Sequence, residues 1–199
     1  IAQSESYIGH HWCNYWMHVM HLNTTSGKMS KSKGEFLTVS LLEQKGYDPL
    51  AYRLFCLQSH YRKNLVFSWE NLDNAMGTYQ KLIAKIAALK PSDEPIDEDA
   101  VTALREKFNK ALGNDLNTSL GITALYDVLK YQTNDATKLY LLDDFDKVLS
   151  LDLLKKADEA RKKAASAKGS GGEYNIISES GEQDAAVEAK IRARFEAKK

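Results

Sequence analysis

The sequence predicts a mainly α protein, an antiparallel helical bundle preceded by a short strand and loop. Two observations carry that expectation. From Trp69 onward Leu72, Ala75, Met76, Tyr79, Leu82, Ile83 and Ile86 recur at three- and four-residue spacing, which gives a helix one apolar stripe to bury. Behind it come EDAVTALREKFNKALGN, NTSLGITALYDVLKYQ and ATKLYLLDDFDKVLSL, each long enough for several turns and each set off by a short polar break. Breaks that short make neighbouring helices run antiparallel.

In chain order, IAQSESYIG is short and helix-compatible, and WCNYWMHVMHL collects the aromatic and β-suitable residues expected of a strand over Trp12 to His21. The polar, flexible NTTSGKMSKSKG after it reads as a loop. Thr38 can cap a short helix, VSLLEQK, which Gly46 ends. Asp48 followed by Pro49 is an N-cap with proline at the first helical position, opening PLAYRLFCLQSH. YRKNLVF reads as a linker, and Ser68 as the cap of the long amphipathic run, which Pro91 stops. From Lys155 to Lys168 six basic residues face two acidic ones, and GSGG then marks a flexible linker. DAAVEAKIRARFEAKK closes the chain with helix formers and only a thin apolar stripe of Val187, Ile191 and Phe195. With Ile1 at the start and a helix without a partner at the end, the chain reads as a fragment.

Composition excludes several classes. A chain of 199 residues, 43% hydrophobic and 27% charged, can bury a real core. Twenty-seven basic residues balance 27 acidic ones, so no global field draws nucleic acid or anionic lipid, and such contacts must come from local patches. No apolar run approaches the ~20 residues that span a bilayer. Cys13 and Cys56 are far apart in a chain with no signal-like opening, which points to reduced thiols and a cytoplasmic location.

SGKMSKSKGEF, residues 26 to 36, is the most pointed stretch. Lys28, Lys31 and Lys33 lie between Gly27 and Gly34, and ammonium groups on a mobile loop suit a polyanion, phosphates above all. A solvated, unoccupied loop has the same composition, and spacing alone leaves both open. A P-loop is excluded, because G-x-x-x-x-G-K-[ST] would need glycine at Leu22 and a hydroxyl at Met29. His10, His11, Cys13, His18 and His21 form a second cluster with a superficial look of zinc ligands. On a strand Cys13 and His18 would point to opposite faces, as would His18 and His21, and small buried hydrophobes are the plainer reading of both cysteines.

KMSKS at residues 28 to 32 is the second signature of class I aminoacyl-tRNA synthetases. With IAQSE at 1 to 5, NYWMH at 14 to 18, GKMSKSKGEF, GYDPLAYRLFCLQSHYR and FSWENLDNA in the same order, and DLNTSL at 115 to 120 beyond, the chain resembles the cysteinyl-tRNA synthetase family in its C-terminal portion. The resemblance implies the end of a class I, Rossmann-like catalytic domain with its KMSKS loop, followed by an anticodon-binding type of helical bundle. It divides the chain into residues 1–36 of the catalytic domain, a stem-contact connector at 37–67, the bundle at 68–168, and a linker with a partial helix at 169–199.

The resemblance also implies roles. The parent reaction is ATP-dependent attachment of cysteine to its tRNA, with ATP and Mg2+, cysteine and tRNA(Cys) as partners. Lys31 is the main catalytic contact to ATP, Lys28 supports it, Ser30 and Ser32 donate hydrogen bonds, and Met29 packs the loop down. Gly27 and Gly34 act as hinges. Zinc belongs to the parent enzyme through ligands upstream of this chain, so no metal ligand is expected within it. A HIGH-type motif, H-x-G-H, does not occur in these residues, and the fragment is expected to be inactive alone. His60, Tyr61 and Arg62 match an HYR block that either meets the tRNA stem or buries the tyrosine beneath an arginine bonded to helix ends. Arg62, Lys155, Lys156, Lys162 and Lys163 are the candidate tRNA contacts, and Trp69 is expected in the core. A helical RNA-binding module without catalysis, and a related ligase joining cysteine to an amino sugar, are the alternatives.

Overall fold

The structure, a computed structural model, describes residues 2–24, 27, 28 and 38–169, with backbone alone at 27, 28 and 167–169. It falls into two compact units, 1–160 and 161–199. The fold below is that of the first.

Helix α1, Ala2–Ile8, buries no residue. The strand expected over Trp12 to His21 does not form; that stretch has no regular structure. A strand needs a ladder as well as suitable residues. Tyr15 and Val19 stand 92% and 62% exposed, and pairing starts only where Met20 N–H donates to the Tyr61 carbonyl at 2.9 Å. Strand β1 is Leu22–Thr24 and β2 is Gly27–Lys28, antiparallel with Asn23 opposite Lys28. Strand β3, Leu65–Phe67, lies inside the stretch expected to be a linker and pairs in parallel with β1, Leu22 opposite Leu65, so the sheet order is β2-β1-β3. Its alternation of buried Phe67 with exposed Val66 is genuine but too short to stand out in sequence.

The capping signals form as read. Thr38 Oγ1 accepts the Leu41 N–H at 3.1 Å to start α2, Val39–Gln44. Gly46, at φ +84°, turns the chain after it, as left-handed backbone requires. Asp48 Oδ1 accepts the Leu50 N–H at 2.9 Å ahead of α3, Pro49–Leu57, and Ser68 Oγ the Asn71 N–H at 3.0 Å at the start of α4, Trp69–Ala87. The α4 stripe of Leu72, Ala75, Tyr79, Leu82, Ile83 and Ile86 is buried throughout.

Helices α5, Glu98–Gly113, α6, Thr118–Lys130, and α7, Asp135–Leu149, pack on one another. The Asn117 N–H reaches the Ala111 carbonyl and Gly121 lies against Phe108, so α5 and α6 are antiparallel. The Asp97 N–H bonds Thr137 Oγ1 and Arg105 bonds Asp144, so α5 and α7 run the same way. At the centre Phe108 and Phe145 stack with centroids 4.0 Å apart. This core takes in Leu54 of α3 and Leu82 of α4, while Leu42, Phe55, Phe67, Leu72 and Ala75 form a second core under the sheet. Helices α3 and α4 thus belong to both cores.

After α7 the chain reverses through Ser150 and Asp152, both at φ 52°. Asp146 holds this turn, accepting the Leu151 N–H at 2.6 Å and the Leu153 N–H at 2.8 Å, and the Tyr79 hydroxyl donates to the Leu151 carbonyl at 2.7 Å. Those amides open α8, Leu153–Gly169, and would otherwise be unpaired at a buried helix start.

Candidate functional site

Of the lysine loop, Lys28 lies on β2, at the edge of the sheet, and Thr38, two residues beyond the loop, caps α2. Met29, Ser30, Lys31, Ser32, Lys33 and Gly34 lie outside the described residues.

The histidine and cysteine cluster does not converge. His11 Nδ1 is 2.7 Å from Glu5 Oε1, His10 Nδ1 meets the His11 carbonyl, and Cys13 Sγ donates to the Tyr15 carbonyl at 2.9 Å. Among the described residues no three His, Cys, Asp or Glu side chains form a group able to hold a metal. Cys56 sits beside Tyr52 in partly buried surroundings; burial raises its thiol above the usual range and pushes the Tyr52 hydroxyl up to about 12. A neutral thiol in that setting is neither a nucleophile nor a ready metal ligand.

Trp69, expected in the core, is 37% exposed. It is the first residue of α4 and stands off the apolar stripe; Tyr47 stacks on it at 5.7 Å and Lys45 Nζ lies 5.0 Å from its ring centre.

His60, Tyr61 and Arg62 gather on one carboxylate that sequence reasoning passed over. The Tyr61 hydroxyl donates to Asp115 Oδ1 at 2.6 Å, Arg62 Nε lies 2.7 Å from Asp115 Oδ2, and His60 Nε2 is 3.7 Å from the same oxygen. The Arg62 guanidinium also covers the Tyr61 ring at 5.2 Å, with His60 stacked on that ring at 4.8 Å. Asp115 and Leu116, just past α5, take left-handed backbone at φ 54° and 52°. Two such non-glycine residues in succession cost roughly 1–3 kcal/mol each and need surroundings that hold them. In sequence Asp115 stood out as the first residue of DLNTSL, between the end of α5 and the Asn117 cap of α6, with nothing to link it to His60, Tyr61 and Arg62.

The Tyr61 hydroxyl and then the Arg62 guanidinium hold the Asp115 carboxyl below the usual carboxylate range. The interaction is therefore complete above the unfolded value of about 3.9 and is lost as pH falls through the lower folded value. Titrating the Asp115 carboxyl carbon by NMR should place its midpoint below about 3.9, with the Met20 amide shifting in step; a midpoint at or above that value would contradict the contact.

The basic stretch divides. Lys156 is partly buried and bonded to Asp48 Oδ2 at 2.9 Å, at the cap of α3, and this bond raises its pKa. Lys155 is exposed, 3.5 Å from Asp152. Lys162 and Lys163 are exposed within the second unit. Arg62 is engaged with Asp115 but remains 65% exposed at its side chain. No helix among the described residues is long and apolar enough to cross a membrane.

Residues 1–77 match the family model for the catalytic domain of class I (C) tRNA synthetases. The chain is 44% identical to a cysteine–tRNA ligase of Novosphingobium aromaticivorans over 143 residues, covering 70% of the chain and 29% of that protein. It is 36% identical to the cysteine–tRNA ligase of Methylococcus capsulatus over a 206-residue alignment that takes in 100% of the chain and 42% of that protein. A Thermococcus gammatolerans cysteine–tRNA ligase is 37% identical over 140 residues, 64% of the chain and 29% of its own length. The chain thus spans less than half the length of these relatives. An edge strand leading into KMSKS, within a class I catalytic match and with cysteine–tRNA ligases as relatives on either side of residue 77, identifies the chain as a member of the cysteine–tRNA ligase family, corresponding to the C-terminal portion of its enzymes.

Proposed function

We propose that this chain supplies the ATP loop and the tRNA-binding bundle of an enzyme that attaches cysteine to tRNA(Cys) at the expense of ATP. One observation carries the reading: KMSKS lies within the 77-residue match to class I catalytic domains, and its first residue, Lys28, is paired in β2. In such a reaction the cysteine carboxylate attacks the α-phosphorus of ATP, the bond to the bridging oxygen breaks and pyrophosphate leaves. Negative charge grows on the departing oxygens. Lys31, with Lys28 in support, neutralises that charge, and Ser30 and Ser32 donate hydrogen bonds. Met29 packs the loop, and Gly27 and Gly34 allow it to close and reopen.

The described residues do not fit a zinc site, and no step of this reading runs through one; zinc and Mg2+ belong to the proposed parent enzyme. The stem-contact role of residues 37–67, the anticodon-binding role of 68–168 and the cytoplasmic setting are parts of the same proposal. So are the tRNA contacts, at Arg62, Lys155, Lys156, Lys162 and Lys163.

The Lys156–Asp48 pair changes how those contacts should be tested. Replacing Lys155, Lys162 and Lys163 by glutamine should weaken binding of tRNA(Cys) and lower the slope of log affinity against log salt by somewhat less than one unit per lost phosphate contact. Lys156→Gln is held apart, because it removes the partner of the α3 cap. Superimposable salt titrations of the triple variant and the parent, against tRNA(Cys) and an unrelated tRNA, would remove the basic stretch from the interface. Absence of tRNA(Cys) binding by both would remove the RNA-binding reading itself.

A further inference from the structure

The element that enters the lysine loop and the α5–α6 turn are far apart in sequence, yet a short chain of polar contacts joins them. Strand β2, which carries Lys28, pairs with β1. Two residues before β1, the Met20 N–H donates to the Tyr61 carbonyl at 2.9 Å. The Tyr61 side chain and its neighbour Arg62 then close on Asp115, at 2.6 and 2.7 Å. Leu22 and Leu65 pack on the second core, whose buried residues lie on α2, α3, β3 and α4 and not on the α5–α6 turn. Between the two sides lies a cavity of about 390 Å³ lined by Met20, Leu22, Cys56, Tyr61 and Leu116 among others. A void forfeits the contacts that would otherwise fix its walls. One further polar tie, Thr118 Oγ1 to the Leu57 carbonyl at 2.8 Å, holds the end of α3 and not the segment that bonds Met20.

The backbone at Asp115 supports the same conclusion. A turn that needed only its left-handed shape would be satisfied by glycine or asparagine at φ 54°. Aspartate is the costlier choice, and what it adds over glycine is a carboxylate that engages Tyr61 and Arg62.

We propose that Asp115 is a positioning residue: its carboxylate holds the Tyr61–Arg62 segment and, through the Tyr61 carbonyl, the position of Met20, so that the entry to β1, a strand already paired with β3, keeps register with the α5–α6 turn. The use of this register, aligning an ATP loop with bound tRNA, rests on the function proposed above; the mechanical link does not.

Asp115→Gly separates the two roles of the residue, because glycine relieves the left-handed backbone while removing the carboxylate. Amide hydrogen exchange on the 199-residue protein is the readout. In Asp115→Gly the amides of Met20 and Asn23 are expected to exchange about tenfold or more faster, while Leu142 and Phe145, in the core of α7, stay within about twofold of the parent. Leu116→Gly, which relieves the neighbouring strain and leaves the carboxylate in place, is expected to leave Met20 unchanged. Asp115→Asn, which keeps an acceptor for Tyr61 and loses the charge that pairs with Arg62, should fall between parent and glycine variant, and it serves alone if the glycine variant does not fold. Unchanged Met20 exchange in Asp115→Gly, acceleration of Met20 and Phe145 by the same factor, or an equal effect of Leu116→Gly would each overturn the proposal. None of these outcomes depends on whether the chain binds ATP or tRNA.

Discussion

Phe145→Ala is expected to cost about 3–5 kcal/mol of folding stability, the usual range for truncating a fully buried phenylalanine. Phe145 is 1% exposed and stacks on Phe108 of α5 with planes 8° apart, so its removal opens a cavity where α5 and α7 meet. The walls cannot easily collapse into it. Leu141, Leu142 and Leu149 on α7 and Leu125 on α6 are buried in the same core and belong to helices pinned at their ends by the Asp97, Asn117 and Asn134 caps. Against a typical total of about 5–15 kcal/mol, a loss of that size removes from about a fifth to all of the stability. Urea denaturation followed by far-ultraviolet circular dichroism measures it: the midpoint should fall strongly while the slope is unchanged. A loss below about 1 kcal/mol would mean that α5 and α7 do not share this core.

The second large effect concerns chemistry. In a full-length cysteine–tRNA ligase carrying these residues, Lys31→Ala is expected to slow adenylate formation by roughly two to three orders of magnitude, the typical result of removing one donor to charge that develops in the transition state, about 2.7–4 kcal/mol. Binding of cysteine should change little, because in the proposed reaction the lysine meets charge that appears only as pyrophosphate departs. Cysteine-dependent exchange of labelled pyrophosphate into ATP separates these quantities. An unchanged maximal rate with a raised KM for cysteine would take Lys31 out of the catalytic role and leave the loop a binding element.

The helices were legible because each carries its own evidence. The α4 stripe repeats at helical spacing for several turns, and Thr38, Asp48 and Ser68 satisfy amides within three residues of themselves, so local chemistry alone marks those boundaries. The strands were not legible in the same way. Trp12 to His21 has strand-like composition but forms no ladder, its Met20 alone bonding the Tyr61 carbonyl, whereas Leu65–Phe67 looked like a linker and pairs with β1 from 43 positions away, Leu22 against Leu65. Trp69 was misjudged for a related reason: at the first position of a helix its exposure depends on what packs over the helix end, here Tyr47, Phe67 and Lys45 among the described residues.

By itself the sequence determined the helical class, the caps, the KMSKS stretch and the family resemblance that follows from it, because all of these reside in residues a few positions apart. The tertiary structure alone decided which charges are free and which are structural. Lys156 and Asp48 are 108 positions apart and Arg62 and Asp115 53, so neither pairing leaves a trace in local pattern. Read along the chain, Lys156 and Arg62 are two more cations in basic stretches; folded, each is bound to a carboxylate, because a partly desolvated charge is held most stably beside an opposite one whose position the fold has already set.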